Sequence, residues 1–447
     1  MSRPQLAAIL VTGALLRLAA LPSPGTGDVT IFKVWSYNAA RGGVGAMYGV
    51  GGSPPERRLL DYQGTTAVVD YPPLALYELG VAGRIHRAWS GRRFPNDAAL
   101  NAAVKLPSLA ADVSFLILIF FLASQYFGVE AARWAAAAWW LNPAPIVDAS
   151  VLGYLDMQYV VPAAAAIVAG ALGRPALAGA LATVAILTKA QGIFIAPAVA
   201  LAIWTCGAPD RRVRRAVEGA LAAAAVGAVV IAPVIVAGGW TNMLQALGRL
   251  AHHDSLSAQA CNLWWLVGYL LRIRYSAHDV GLWPAIVAPA RILGIPRVVE
   301  LGYPDPKIIG AALTIAALLW ALWTARRARD VWNVAGAGAF IAHAYATLSA
   351  QVHENHLFAV VPLLAIAAVG RAGFRPILAV MSAVVALNLN LFYGFGDDRF
   401  ALPRAVTIVD ATVVLAVVNC AALWWHARVL RRECSAAVEP LRPPAPA

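Results

Sequence analysis

The sequence predicts an all-α polytopic membrane protein, and three observations lead there. Hydrophobic residues fill 60% of the 447 positions and charged residues only 13%, whereas a soluble protein needs about a quarter of its residues charged. Apolar runs at 217–237, 308–324 and 405–425 each approach the ~20 residues that cross a bilayer as a helix. Short basic clusters follow such runs: Arg211-Arg212 with Arg214-Arg215, Arg326-Arg327 with Arg329, Arg371 with Arg375, and Arg428 with Arg431-Arg432. That is the signature of cytoplasmic loops, so the surplus of 35 Lys+Arg over 23 Asp+Glu reads as orientation in a membrane rather than as nucleic-acid binding.

Taken in order, Arg3 and the apolar stretch 6–21, interrupted by Arg17 and closed by Pro22 and Pro24, read as an uncleaved first span with a cytoplasmic N-terminus. Placing the basic clusters inside then gives about twelve spans. They fall near 5–22, 106–125, 130–147, 157–172, 175–190, 191–206, 214–237, 307–325, 331–349, 356–370, 375–392 and 405–427. Two short apolar pieces within 262–295 suit a re-entrant hairpin. The first outer loop, 23–105, is long. Within it 71–81 is too short to span and is followed by Arg84, His86 and Arg87, which predicts an interfacial helix on the outer leaflet. One transmembrane domain is expected over 1–432, with a disordered tail over 433–447. Cys206, Cys261, Cys420 and Cys434 are scattered with no CxxC, so neither a disulfide framework nor a metal site is expected.

This threading sends most remaining ionisable residues to the outer face, which a bundle built only for stability would not do, since each costs ~2.5–3.5 kcal/mol toward the bilayer centre. Asp28 follows the first span and is either a helix cap or a general base toward a hydroxyl. Asp70-Tyr71-Pro72-Pro73-Leu74 opens the interfacial helix, with prolines where the first turn needs no donors. Asn142-Pro143 ends the third span; Asp148, Asp156 and Gln158 beyond it, with Tyr154 and Tyr159, are either sugar-binding groups or loop residues. Lys189 with Gln191 sits in apolar sequence, where a lysine either snorkels or supplies charge to a phosphate. The strongest local signal is Gln351-Val352-His353-Glu354-Asn355-His356. Its order differs from the HExxH zinc arrangement and no third ligand is evident, so phosphate binding is preferred to metal. His252-His253-Asp254 supplies a second outer patch.

As an ordered set these motifs resemble the GT-C superfamily of membrane glycosyltransferases, in particular the dolichyl- and polyprenyl-phosphate-sugar-dependent glucosyl- and mannosyltransferases. Gly27-Asp28 with Trp35 resembles the acidic motif of the first outer loop, and Asp70-Tyr71-Pro72-Pro73-Leu74 with Tyr77 a DYPPL-type segment. Asn142-Pro143 with Asp156 and Gln158 resembles the third-span exit, Lys189-Ala190-Gln191 the KQ-type junction, and Val352-His353-Glu354-Asn355 the late VHEK or HER motif. Asn262-Leu263-Trp264-Trp265 resembles an NLWW-type segment. Two positions depart: Asn355 stands where a basic residue is usual, and Ala190 separates Lys189 from Gln191. The resemblance implies inverting transfer of a hexose, mannose first and glucose next, from a polyprenyl-phosphate-linked donor to an acceptor hydroxyl of a lipid or glycan. No cofactor is implied. Asp28 would be the catalytic base. His353, Lys189, His252 and Glu354 would contact the donor phosphate, and Asp70, Tyr71, Asp156, Gln158, Gln191 and Trp264 would bind substrate. Asp28 and His353 are expected to flank one cavity facing the periplasm or exterior, and the Ala-, Arg- and Trp-rich composition suggests the inner membrane of a high-GC bacterium. A transporter or lipid-glycan flippase is the rival from another class, although no repeated halves are evident. A polysaccharide polymerase is the second rival, set apart by an oligosaccharide pyrophosphate donor.

Overall fold

The computed structural model describes residues 1–49, 59–249, 255–280, 305–396 and 410–436, and helices dominate it. Five of them are long and apolar enough to cross a bilayer: Ala98–Trp140, Pro209–Val236, Pro306–Ala325, Phe374–Tyr393 and Ala411–Ala436. Five further apolar helices are shorter. The chain is a multi-pass membrane protein. It divides into two compact units, residues 1–252 with 329–331, and residues 253–328 with 332–440.

In the first unit, helix α1 (Arg3–Ala20) begins with a capping box: Ser2 accepts from the Gln5 amide, and the Gln5 side chain reaches back to the Ser2 amide. Helix α2 (Gly27–Gly42) follows a short turn. An antiparallel pair, β1 (Leu60–Tyr62) and β2 (Thr65–Ala67), then sets Leu60 opposite Ala67. Helix α3 (Pro73–Ser90) opens with proline at its first position, where a missing amide proton removes no bond. Phe32, Trp35, Leu76, Leu79, Leu100 and Val104 form the core that joins α2 and α3 to the start of the next helix.

Helix α4 (Ala98–Trp140) is capped by Asp97, whose side chain accepts from the Leu100 amide at 2.9 Å, and bends at Gly128 (φ 82°), a backbone conformation that glycine adopts without steric penalty. The non-helical Gly128 lies between the expected spans 106–125 and 130–147 and divides the element in two, and the second part stops at Trp140. Asn142 caps a short turn, Pro143–Pro145, which continues as a π-helix over Ile146–Leu152. Helices α5 (Asp156–Ala171), α6 (Pro175–Thr188), α7 (Ala196–Thr205), α8 (Arg212–Val236) and α9 (Trp240–Arg249) complete the unit. Gly179 of α6 rests on the Gly219 backbone of α8, an approach any Cβ would block, as is usual where helices pack in lipid.

The second unit contains α10 (Leu263–Val280), α11 (Pro306–Ala325), most of α12 (Val331–Leu348), α13 (Val360–Gly370), α14 (Phe374–Tyr393) and α15 (Ala411–Ala436). Buried polar side chains fasten it. Asn419 donates to the Cys261 carbonyl at 2.9 Å, Asn388 accepts from the Cys261 amide at 2.7 Å, and the Trp265 indole donates to Thr412 at 2.9 Å. The first apolar piece of the expected hairpin is an 18-residue helix, and the second lies outside the described residues. The last helix continues to Ala436, past the expected start of a disordered tail at 433, because 433–436 extends an uninterrupted run without glycine or proline. The rest of that tail lies outside the described residues.

Candidate functional site

Asp28 is the second residue of α2, and the turn before it is tied down from several sides. Lys105 of α4 donates through Nζ to the Ser23 carbonyl (2.9 Å), Ser23 Oγ (2.9 Å), and the carbonyls of Ser150 (3.2 Å) and Val151 (2.7 Å). Asn101 holds the Pro22 carbonyl at 2.8 Å, and the Thr26 amide donates to the Leu152 carbonyl at 3.1 Å. Gly25 makes that approach possible: its φ is 73°, and a Cβ there would stand 2.6 Å from the Leu152 oxygen. The result is a fixed entry into α2 with Asp28 in its first turn.

The Asp28 carboxyl is half-buried and makes no hydrogen bond with a described residue. Burial raises its pKa above the ordinary aspartate value; nearby Lys189 pulls it down and Asp156 pushes it up. Asp156, first residue of α5 and fully buried, pairs with Lys189 at 2.8 Å. The Lys189 ammonium lies 5.9 Å from the Tyr71 ring centre and 5.7 Å from that of Tyr159, within cation–π range. Tyr71 packs 5.3 Å from Trp35 and 6.0 Å from Phe32, and its carbonyl accepts from the Tyr48 hydroxyl at 2.6 Å. Its own hydroxyl is held well above the ordinary range, by burial first and then by Asp28, Asp156 and Asp70. It is therefore a neutral donor.

Four motifs separated by up to 161 positions thus meet in one cluster: Asp28, Asp70 with Tyr71, Asp156 with Tyr159, and Lys189. Two carboxyl groups, those of Asp28 and Asp156, lie within electrostatic reach of the Lys189 ammonium. Such a site accepts from hydroxyls, offers a tyrosine donor, and retains one carboxylate unpaired.

The other expected residues sort differently. Gln158 is buried between Ser108 of α4 and Glu78 of α3. Burial raises the Glu78 carboxyl to about 8. The Gln158 amide donates to the Glu78 carboxyl and its oxygen accepts from the Ser108 amide (3.3 Å), while Ser108 Oγ donates to the Tyr154 carbonyl (2.9 Å). Gln191 lies in the 3-10 turn Ala190–Phe194, directly after Lys189 ends α6 in an extended conformation. In the second unit, Trp264 donates its indole N–H to the Leu348 carbonyl at 2.7 Å and packs with Leu256. The segment 256–259 pairs with 351–354: the Ala258 amide donates to the Val352 carbonyl (2.9 Å) and the Glu354 amide to the Ala258 carbonyl (3.2 Å). His353 keeps a side chain 41% exposed, with Nδ1 3.9 Å from the buried Glu354 carboxylate, which also accepts from Tyr393 at 3.2 Å. His356 bonds the Tyr345 hydroxyl at 3.1 Å. His252, His253 and Asp254 lie outside the described residues.

Sequence reasoning missed Lys105, Glu78 and Ser108. A signal existed for Lys105, since an ionisable residue inside an apolar run calls for a partner or a function.

No protein-family model matches the sequence, and no curated protein does. Among solved structures the chain is similar to ArnT from Cupriavidus metallidurans bound to undecaprenyl phosphate: 15% identity, 97% of this chain and 78% of that one covered, TM-score 0.52. It is also similar to the oligosaccharyltransferase AglB from Archaeoglobus fulgidus in complex with an inhibitory peptide and a dolichol-phosphate, at 15% identity and TM-score 0.42. That match covers 96% of this chain but 56% of the other, so the chain spans about half the length of that protein. The likeness to ArnT is one of fold.

Proposed function

We propose that the chain is an inverting glycosyltransferase that moves a hexose from a polyprenyl-phosphate carrier to an acceptor hydroxyl at the outer face of the membrane. The observation that carries this reading is the cluster itself: an unpaired, half-buried Asp28 beside a tyrosine donor and a buried Asp156–Lys189 pair. Burial makes Asp28 a stronger base than a solvated aspartate. In the reaction the acceptor oxygen attacks the anomeric carbon and its proton passes to Asp28. The bond from that carbon to the phosphate oxygen breaks, and polyprenyl phosphate leaves with the electron pair. Attack opposite the departing phosphate inverts the anomeric centre.

Asp70, Tyr71 and Asp156 serve the sugar hydroxyls in this reading. Lys189, engaged with Asp156, holds that carboxylate in place and leaves two donors for substrate. Gln158 and Gln191 support the same wall. In the second unit His353 contacts the donor phosphate, with Glu354 orienting its ring, and Trp264 shapes the segment that carries them. Mannose is the first sugar to test and glucose the next, with the inner membrane as the compartment.

The test is transfer of radiolabelled sugar from synthetic polyprenyl-phosphate-mannose, and from the glucose and arabinose analogues, to native membrane glycolipids. Wild type is expected to transfer one of them. Asp28→Asn is expected to lose about 10²–10⁴-fold in rate while still binding donor. Equal rates in both would remove Asp28 from the mechanism, and no transfer with any donor would favour the transport reading.

A further inference from the structure

The far end of α2 borders a second hollow. Tyr37, Arg41, Arg87 and Phe94 line a cavity of about 370 Å³, within the range of small-ligand sites. Arg41 lies 13 residues along α2 from Asp28, about 20 Å at 1.5 Å per residue, so this hollow is separate from the Asp28 cluster.

Arg41 donates to the Tyr37 hydroxyl at 2.8 Å and sits 5.1 Å over its ring, while Arg87 occupies the last turn of α3. Both side chains are exposed, and neither is paired with a carboxylate of a described residue. The helix dipole accounts for an arginine in each last turn. It does not account for two guanidinium groups, without a carboxylate partner among the described residues, sharing one hollow, where each raises the electrostatic cost of the other. The aromatic wall is firmly held. Phe94 is left-handed (φ 46°), which is rare for a bulky residue. Its carbonyl accepts from the Tyr62 hydroxyl (3.0 Å) and from Gln63 (3.2 Å), and its ring packs against His86 (4.7 Å) and Tyr37 (5.1 Å). Conformations of this kind persist only where the surroundings impose them, and they concentrate at ligand sites.

We propose that this cavity binds a phosphate ester, with Arg41 and Arg87 gripping the oxyanion and the Tyr37–Phe94 wall setting its depth. Guanidinium forks match phosphate oxygens in geometry as well as charge. The room beyond one phosphate suits a phosphorylated sugar or a lipid headgroup, and those two sources share the chemistry.

The test uses the full chain in neutral detergent, titrated calorimetrically with mannose 6-phosphate, inorganic phosphate and mannose. In parallel, the chain in nanodiscs of phosphatidylcholine is compared with nanodiscs containing phosphatidylglycerol. Wild type is expected to bind a phosphate-bearing probe and not mannose. Arg41→Gln with Arg87→Gln should weaken that binding by roughly tenfold or more per guanidinium, and Tyr37→Phe by less. Unchanged thermal unfolding would verify that the exposed substitutions leave the fold intact. Preference for the sugar phosphate or for phosphatidylglycerol assigns the source. Binding unaltered by the double substitution, or no binding of any phosphate-bearing probe, overturns the proposal.

Discussion

Replacing Lys105 by methionine tests whether the entry into α2 governs the reaction. The substitution keeps the length of the side chain and removes its donors. The Val151 carbonyl retains the Ser23 hydroxyl at 2.8 Å, so the oxygens that lose most are the Ser23 and Ser150 carbonyls. An orphaned buried carbonyl costs about 1–3 kcal/mol, and relief from burying an ammonium offsets part of the sum. A net loss of about 2–4 kcal/mol follows, a large share of the 5–15 kcal/mol typical of a folded domain. Freed from Lys105, the turn at Ser23–Thr26 shifts, and a 1 Å displacement of a reacting group costs about 10²-fold in rate. Steady-state sugar transfer is expected to show kcat reduced by that order with donor KM little changed. Lys105→Arg, which keeps a donor, should recover part of it. Lys105→Met at wild-type kcat would refute the argument, and so would a loss confined to KM.

Three further outcomes are expected. Because burial raises the Asp28 pKa, transfer should fall with acidification at a pH above the usual aspartate range, and a rate profile with its acid limb at about 4 would contradict that. Glu78 ionises at about 8 in the folded protein against an ordinary 4.5, so its contribution to stability is complete below 4.5 and is lost as pH rises through 8. Glu78→Gln should therefore unfold at a higher temperature than wild type at pH 8, with the gap closing toward pH 4.5. Arg17 and Asp112 form a fully buried pair at 2.6 Å, with Trp139 donating to the same carboxylate at 2.8 Å. Asp112→Leu alone should cost about 3–5 kcal/mol, and the double variant with Arg17→Met should regain most of it, as read from denaturant unfolding in detergent.

Much of the site was legible in the sequence because its residues break a local rule. Asp28, Asp156 and Lys189 are ionisable groups at the ends of apolar runs, and the structure brings them together with Tyr71. Their pairing was not legible: nothing in the chain between 156 and 189 says that Lys189 is neutralised by Asp156 rather than held for a phosphate. Gln158 and Trp264 show the same limit. The motifs mark both as expected substrate contacts, but which way a helical side chain turns depends on its neighbours, and here Gln158 meets Glu78 while the Trp264 N–H meets the Leu348 carbonyl. Five helices are long and apolar enough to cross a bilayer, as hydropathy predicts. Backbone geometry sets where neighbouring helices part, at the non-helical Gly128 and at the extended Lys189 that divides α6 from the turn after it.

The buried pair between α1 and α4 also bears on how the protein is made. Arg17 enters synthesis 95 residues before Asp112, an interval of roughly 5–20 s at common elongation rates. During that time the helix carrying Arg17 holds a charge whose partner does not yet exist, at ~2.5–3.5 kcal/mol if it reaches the bilayer centre. The helix is therefore committed to the membrane only when α4 arrives. The insertion machinery must either retain α1 at a wet interface or shield it until then, and in Asp112→Leu the Arg17 charge would go without that partner throughout assembly.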